Sequence, residues 1–215
     1  MKIEKLTPRN IIFTDNLPEW NLNLHLIQGK HRNYLIDTGL GSAHMDEIKA
    51  YLGEDKKPLV VINTHYHWDH IWGNHCFPGS VIIAHRICRG LIEEKWDEML
   101  RDYGAFIRGD VVRCLPNYVF DDAMYFSDDK VRIFYTPGHK IDCISVLDEV
   151  DAVLNVGDNI GDTPEALVPE ISTDIETYKK TLQLYKALNI EFCVSGHNEI
   201  QGKDVFLRIE NLLER

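Results

Sequence analysis

The sequence predicts a layered α/β fold with sheet packed on sheet and helices outside, and three observations lead to that class. Short runs of β character recur in both halves: 11 to 15, 22 to 28, 33 to 39 and 59 to 63, then 131 to 139, 143 to 149, 152 to 158 and 191 to 197. Stretches of helical composition fall between and after them, at 42 to 52, about 86 to 103 and 174 to 188. Several of the strand-like runs end at a histidine or aspartate, so one pattern of strand, turn and ligand-type side chain repeats along the chain.

Taken in order, IIFTD, LNLHLIQ and NYLIDTG read as adjacent antiparallel strands. Ser42 stands at an N-cap position for the helix at 42 to 52, and Pro58 precedes LVVIN, which fits a buried strand. THYHWDHIWGNH follows at once, so its histidines lie in a loop at a strand's C-terminal end, and VIIA at 81 to 84 is the next short strand. Residues 86 to 118 read as a helical insertion or flap within a single domain spanning 1 to 215. No linker rich in Gly, Pro or Ser interrupts the chain.

Composition narrows the function classes. The chain has 215 residues, enough to bury roughly 70% of its unfolded surface. Its hydrophobic content of 44% excludes the low-hydrophobicity signature of disorder. A formal charge of −11 repels a nucleic-acid backbone, and no apolar run approaches the ~20 residues of a membrane span. The N-terminus MKIEKLTPRN lacks the apolar core of a secretory signal, so a cytoplasmic location is expected. The expected partner is a small-molecule substrate, not nucleic acid or membrane, and the sequence is compatible with a homodimer. Five scattered cysteines, at 76, 88, 114, 143 and 193, form no C-x-x-C pair and read mostly as small buried hydrophobes.

The chemistry concentrates in His65, His67, Asp69 and His70, three imidazoles and a carboxylate within six residues directly after an apolar strand. In an extended segment 65, 67 and 69 project to one side, so His65 and His67 can share a metal with Asp69 near the same point, and His70 suits a neighbouring metal. His139 follows T-P-G, whose proline and glycine set a tight turn that presents the imidazole rigidly. Asp158 in N-V-G-D and His197 in V-S-G-H repeat the device.

H-x-H-x-D-H at 65 to 70, followed by His139, Asp158 and His197 in that order, resembles the metallo-β-lactamase fold superfamily over nearly the whole chain. The D-T-G at 37 to 39 and T-P-G-H at 136 to 139 extend the resemblance. It implies an αββα four-layer sandwich with two divalent metal ions: one held by His65, His67 and His139, the other by Asp69, His70 and His197, with Asp158 bridging and Asp37 supporting from behind. The all N/O donor set suits Zn and also accepts Fe or Mn. On that resemblance, two such ions about 3.5 to 4 Å apart would share a water whose pKa falls toward about 7, with Asp69 expected to orient that nucleophile and handle its proton.

Departures from particular family patterns narrow the reaction. The best-known zinc β-lactamases place a cysteine where Asp158 stands and lack the His70 ligand. Glyoxalase II enzymes share the ligand set but carry a further C-terminal helical region, for which little chain is expected after His197. Diiron reductases have Glu where His67 stands, and single-iron persulfide dioxygenases use the first-site ligands alone. The resulting expectation is a glyoxalase II-like, dinuclear hydrolase of a small carbonyl ester, thioester or lactone. An iron-dependent oxidoreductase, of the sulfur dioxygenase or diiron type, is the alternative. Trp96, Tyr103 and Phe106 are candidates to shape substrate access, Lys140 to meet an anionic group, and Trp68 and Trp72 to wall the pocket or brace the loop.

Overall fold

A computed structural model describes residues 1–214 and places two sheets face to face. The first sheet runs in chain order: β1 (Lys2–Lys5), β2 (Asn10–Asn16), β3 (Asn21–Gln28), β4 (Asn33–Ile36), β5 (Leu59–Ile62), β6 (Val81–His85) and β7 (Tyr118–Phe120). Its first four strands are antiparallel, as expected for the opening runs, and β4 to β7 are parallel. Parallel neighbours need crossovers. Helix α1 (Ser42–Leu52) makes one, the single-turn α2 (Trp68–Ile71) lies within the second, and α3 (Arg86–Tyr103) makes the third.

The second sheet contains β8 (Ala123–Phe126), β9 (Val131–Tyr135), β10 (Ile144–Asp148), β11 (Val153–Asn155), β12 (Phe192–Val194) and β13 (Gln201–Gly202), with β13 and β8 at its edges. Helix α4 (Ile175–Ala187) links the parallel pair β11 and β12, and α5 (Val205–Leu213) follows β13. Asp174 caps α4 by accepting the Thr177 N–H at 2.9 Å, and Glu176 favours the positive end of that helix.

The two-residue period of the strands assigns each side chain to a layer. Tyr34, Ile36, Val60 and Ile62 of the first sheet meet Val131, Ile133, Ile144 and Val146 of the second, forming the core between sheets. Leu35 and Val61 face the other way, onto Met45 and Ile48 of α1. Phe134 and Leu147 likewise turn outward to Tyr178, Leu182 and Tyr185 of α4 and Phe206 of α5. The result is the expected helix, sheet, sheet, helix order. Each fully buried Leu, Ile or Phe contributes about 1.5–3 kcal/mol, so the register that sorts these faces is strongly held.

Two local expectations are corrected. Ser42 is the first helical residue and not the cap, since Gly41 takes that position with a φ of 134°. The Ser42 hydroxyl instead accepts the Asp110 N–H at 2.8 Å and ties down the segment after α3. The 86 to 118 stretch is helical only to Phe106, and it is not a free flap. Cys88, Ile92, Trp96 and Met99 on α3 pack against Ile71 and Trp72. Among the described residues no helix is long and apolar enough to cross a membrane.

Candidate metal centre

The seven sequence-predicted residues meet at one end of the sandwich, because each follows a strand that runs toward it. Residues after β5 supply His65, His67, Asp69 and His70; the turn after β9 supplies His139; the segments after β11 and β12 supply Asp158 and His197. Two sets of donor atoms, each within 4.8 Å of one another, result: His65, His67, His139 and Asp158, and beside them Asp69, His70 and His197. The extended-segment argument placed Asp69 with His65 and His67. The backbone leaves the extended conformation at His67 (φ −60°, ψ 147°) and enters α2 at Trp68, which turns Asp69 toward His70 and His197.

Asp158 lies between the two sets. Its Oδ2 is 3.2 Å from Nε2 of both His70 and His197, and 3.5 Å from Nε2 of His65. Asp69 Oδ2 lies 3.3 Å from His197 Nε2 and 3.7 Å from His70 Nε2. Close approach here requires glycine. A Cβ on Gly196 would stand 2.3 Å from Asp158 Oδ1 and 2.8 Å from His70 Cε1, and Gly157 adopts a φ of 55° against Thr64.

Hydrogen bonds behind the imidazoles fix which nitrogen faces inward. His70 Nδ1 donates to Asp37 Oδ2 at 2.8 Å, His139 Nδ1 to the Glu170 carbonyl at 2.8 Å, and His197 Nδ1 to the Asn21 carbonyl at 2.8 Å. Thr64 Oγ1 donates its hydrogen to Asp37 Oδ2 at 2.7 Å, which leaves Thr64 Oγ1 to accept the His65 Nδ1–H at 3.1 Å. Four rings therefore turn Nε2 to the centre, as the nitrogen that would meet a metal ion. His67 differs, with its Nδ1 turned inward, 3.4 Å from His139 Nε2. Asp37 also accepts the Thr64 N–H at 2.8 Å, and its φ of 61° is one that Asp tolerates better than most residues.

These residues fit divalent metal. Nε2 of His65 and of His70 and Oδ1 of Asp158 are buried without a hydrogen-bond partner, a costly arrangement unless another group satisfies them. Burial holds His65 well below the ordinary histidine pKa and His67 at about 3, keeping both neutral as ligands require. At His70 and His197 burial opposes protonation, but the surrounding carboxylates, Asp158 foremost, outweigh it and raise both well above the ordinary value. Burial works against an ionised Asp158, yet the imidazoles of His70, His197 and His65 hold its pKa well below the usual carboxylate range. The centre thus favours a cationic partner for its carboxylates, a role that metal ions would take from the protons.

A cavity of about 330 Å³ opens onto the centre, bordered by Trp20, Trp68, Tyr103 and Asp162. Trp68 stacks on Tyr103 at 4.9 Å and meets Trp20 edge to face at 5.9 Å. Of the residues singled out beforehand, Trp68 and Tyr103 reach the cavity, whereas Trp72 and Trp96 are buried in the packing beneath. Phe106 packs on Trp68 at 5.1 Å. Lys140 is not free for a substrate: it is bound to Glu170 at 3.1 Å and to Ser172 at 2.7 Å. Sequence reasoning missed Trp20 and Asp162, which sit in loops without a local pattern. It also missed Asn159, whose Oδ1 accepts the His139 N–H at 2.9 Å and sets that turn.

A family model described as metallo-beta-lactamase superfamily matches residues 18–197. Among curated relatives, an acyl-coenzyme A thioesterase from Homo sapiens is 25% identical, over 87% of this chain and 76% of the relative. A probable metallo-hydrolase from Methanocaldococcus jannaschii is 26% identical, over 69% of this chain and 61% of the relative. Among solved structures, a metallo-beta-lactamase from Pontibacter korlensis superposes with a TM-score of 0.78 at 17% identity, covering 100% of this chain and 99% of that one. One from Hirschia baltica gives 0.76 at 18% identity, with 98% and 96% covered. At these identities the structural likeness speaks for the fold.

Proposed function

The chain belongs to the metallo-beta-lactamase superfamily, and on that premise we propose that it is a dinuclear metal-dependent hydrolase of a small carbonyl ester, thioester or lactone. The observation that carries this reading is the convergence of five imidazoles and two carboxylates on one centre beside the cavity, with the outward nitrogen of four rings fixed from behind. His65, His67 and His139 would hold one ion and Asp69, His70 and His197 the other, with Asp158 between them. Bound there, two divalent ions, zinc or, with the same donors, iron or manganese, would polarise a carbonyl oxygen and bring the pKa of a water toward about 7.

The chain's own groups supply the rest. Asp69 reaches the cavity, where its carboxylate can orient the attacking water and take its proton. Water adds to the carbonyl carbon, the carbon–oxygen or carbon–sulfur bond breaks, and the proton held at Asp69 passes to the departing oxygen or sulfur. A carboxylic acid and an alcohol or thiol result. Trp20, Trp68 and Tyr103 wall the site, offering an apolar surface to the acyl group and limiting bulk water. The Homo sapiens relative named as a thioesterase supports a thioester among the three bond types.

The test is a panel of thioesters, lactones, aryl esters, phosphodiesters and β-lactams, offered to protein loaded with zinc, manganese or iron, with Asp69→Asn as control. Turnover of a thioester, ester or lactone that is lost in the control is the expected result. Silence across the panel with every metal would overturn the hydrolase reading in favour of iron-dependent redox chemistry.

A further inference from the structure

The turn that presents His139 is fastened from end to end. The carbonyls of Thr136, Pro137, Gly138 and His139 each accept a hydrogen bond: from Asn159 Nδ2 at 2.7 Å, the Thr181 hydroxyl at 2.7 Å, the Thr173 hydroxyl at 3.0 Å and the Ser172 N–H at 3.0 Å. Thr181 stands on α4, and residues 172 and 173 lead into that helix. The His139 N–H goes to Asn159 Oδ1 at 2.9 Å, so a single amide spans both ends of the turn. Asn159 is fully buried, and every polar atom of its side chain is used. Its second Nδ2 hydrogen goes at 2.9 Å to the Tyr185 hydroxyl, which also shares a hydrogen with Ser145 at 2.7 Å. The Tyr178 hydroxyl donates to the Asn159 carbonyl at 2.7 Å, and the two tyrosines lie about two turns apart on one face of α4. Since the His139 N–H only donates and the Thr136 carbonyl only accepts, the amide has one workable orientation. Gly138 lets it approach, for a Cβ there would stand 2.6 Å from Asn159 Oδ1 and 2.6 Å from Tyr178 Cδ2.

Resting on the two-ion centre above and not on the reaction, we propose that Asn159 is a positioning residue for the metal ion at His65, His67 and His139, and that Tyr185 braces it from α4. Asn159 does not line the cavity and acts through His139. The Glu170 carbonyl, 2.8 Å from His139 Nδ1, sets how the ring is turned, whereas the bond from the His139 N–H to Asn159 sets where its backbone sits. Both are needed, because a zinc–imidazole bond of about 2.0–2.1 Å tolerates a displacement of only about 0.2 Å. Without the amide, the Thr136 carbonyl and the His139 N–H would be buried unpaired, and the turn would shift to recover partners. Such a shift carries His139 Nε2 away from His67 Nδ1, now 3.4 Å from it. The neighbouring set is fastened elsewhere: His70 to Asp37, His197 to the Asn21 carbonyl, and Asp69 on α2. Loss of Asn159 therefore acts on one ion and spares the other.

Stepwise zinc affinities are measured by competition with a chromophoric chelator. Cobalt-loaded protein is followed by proton NMR, in which each metal-bound imidazole gives a strongly shifted N–H signal, and the His139 signal is identified by its loss in His139→Ala. In Asn159→Leu one zinc is expected to bind about tenfold more weakly or worse, with the His139 signal moved or lost, while the other zinc stays within twofold. Tyr185→Phe, which removes only the bracing hydroxyl, should weaken the same step about threefold. Tyr34→Phe is the control for a merely structural effect: it deletes a buried hydroxyl bonded to Asp129 at 2.8 Å, and should lower Tm without moving either zinc step. Affinities and the His139 signal unchanged in both variants, or both zinc steps weakened alike, overturns the proposal. If Asn159→Leu does not fold, Tyr185→Phe decides, and zinc steps matching those of Tyr34→Phe refute it. A wild type that holds fewer than two ions, or shows no shifted imidazole signals, sinks the two-ion centre and the proposal together, whereas failure to hydrolyse any ester leaves this test intact.

Discussion

Asp37→Asn is the substitution that most sharply separates a metal centre built from behind from one that depends on its ligands alone. Asn tolerates the left-handed conformation that Asp37 adopts (φ 61°), so the change is one of hydrogen-bond polarity and not of backbone strain. Oδ1 of Asp37 accepts the Thr64 N–H at 2.8 Å, and a backbone N–H cannot become an acceptor. The amide oxygen must therefore keep that place, which puts NH₂ where Oδ2 now accepts from His70 Nδ1 at 2.8 Å and from Thr64 Oγ1 at 2.7 Å. Both bonds reverse. His70 Nδ1 becomes an acceptor, its proton moves to Nε2, and that nitrogen no longer offers a lone pair toward Asp69 and Asp158. The Thr64 hydroxyl, released from Asp37, can turn toward His65 Nδ1 and disturb that ring too. Loss of such a supporting group weakens metal binding typically 10–100-fold, about 1.4–2.7 kcal/mol. Zinc affinity measured by competition with a chromophoric chelator checks this, with stoichiometry read by elemental analysis. A variant that keeps both ions with affinity within twofold of the wild type would refute the tautomer argument.

Three further outcomes are expected. Gly196→Ala places a methyl 2.3 Å from Asp158 Oδ1, so the aspartate shifts from between the two ligand sets and metal content falls below that of the wild type at equal zinc; full occupancy by elemental analysis would contradict it. Zinc at a hundredfold excess over its Kd should stabilise the folded chain by about 2.7 kcal/mol, or roughly 5–10 °C in Tm for a domain of this size, and calorimetry of stripped and loaded protein reads the difference. His25 is buried, with Nε2 donating to Asn10 Oδ1 at 2.9 Å, and burial lowers its pKa to about 3. The unfolded chain takes up this proton first as pH falls below about 6.5, so His25 withdraws stability from there down to about pH 3, by roughly 5 kcal/mol in full. His25→Gln, which keeps a donor for Asn10, should flatten that part of the acid limb in denaturant titrations; an unchanged limb would count against it.

The parts of this molecule that a sequence reader can see are those whose signal is local. Residues 59 to 62 and 131 to 135 are apolar runs that end at turns, and their strands follow from period and length. His65, His67, Asp69 and His70 crowd too closely for packing to explain them, and the glycine before each of His139, Asp158 and His197 marks a turn that presents a side chain. Other features depend on the whole fold. The short strands β1, β7, β8 and β13 have too few residues to show a period, and their exposed or half-buried faces carry mixed chemistry. Helix α5 does show buried Val205, Phe206 and Ile209 at helical spacing, a pattern that reasoning centred on the ligand motifs passed over. Asp69 was misplaced by the extended-segment argument because α2 begins one residue before it, and one helical turn redirects a side chain that a strand would have aimed at His65. Lys140 looks free beside His139 until residue 170, thirty positions later, folds back to pair with it. Trp20 acquires its place at the cavity only when the loop between β2 and β3 meets His197, at 5.1 Å between rings.

The most direct test of the account is the position and number of metal ions the chain holds. Crystals of zinc-loaded protein, measured on either side of the zinc absorption edge, should show two anomalous peaks about 3.5–4 Å apart, one among His65, His67 and His139 and one among Asp69, His70 and His197, with Asp158 reaching both. A single peak at either set, or zinc bound elsewhere with these seven side chains unliganded, would contradict the two-ion centre and with it the chemistry proposed for this protein.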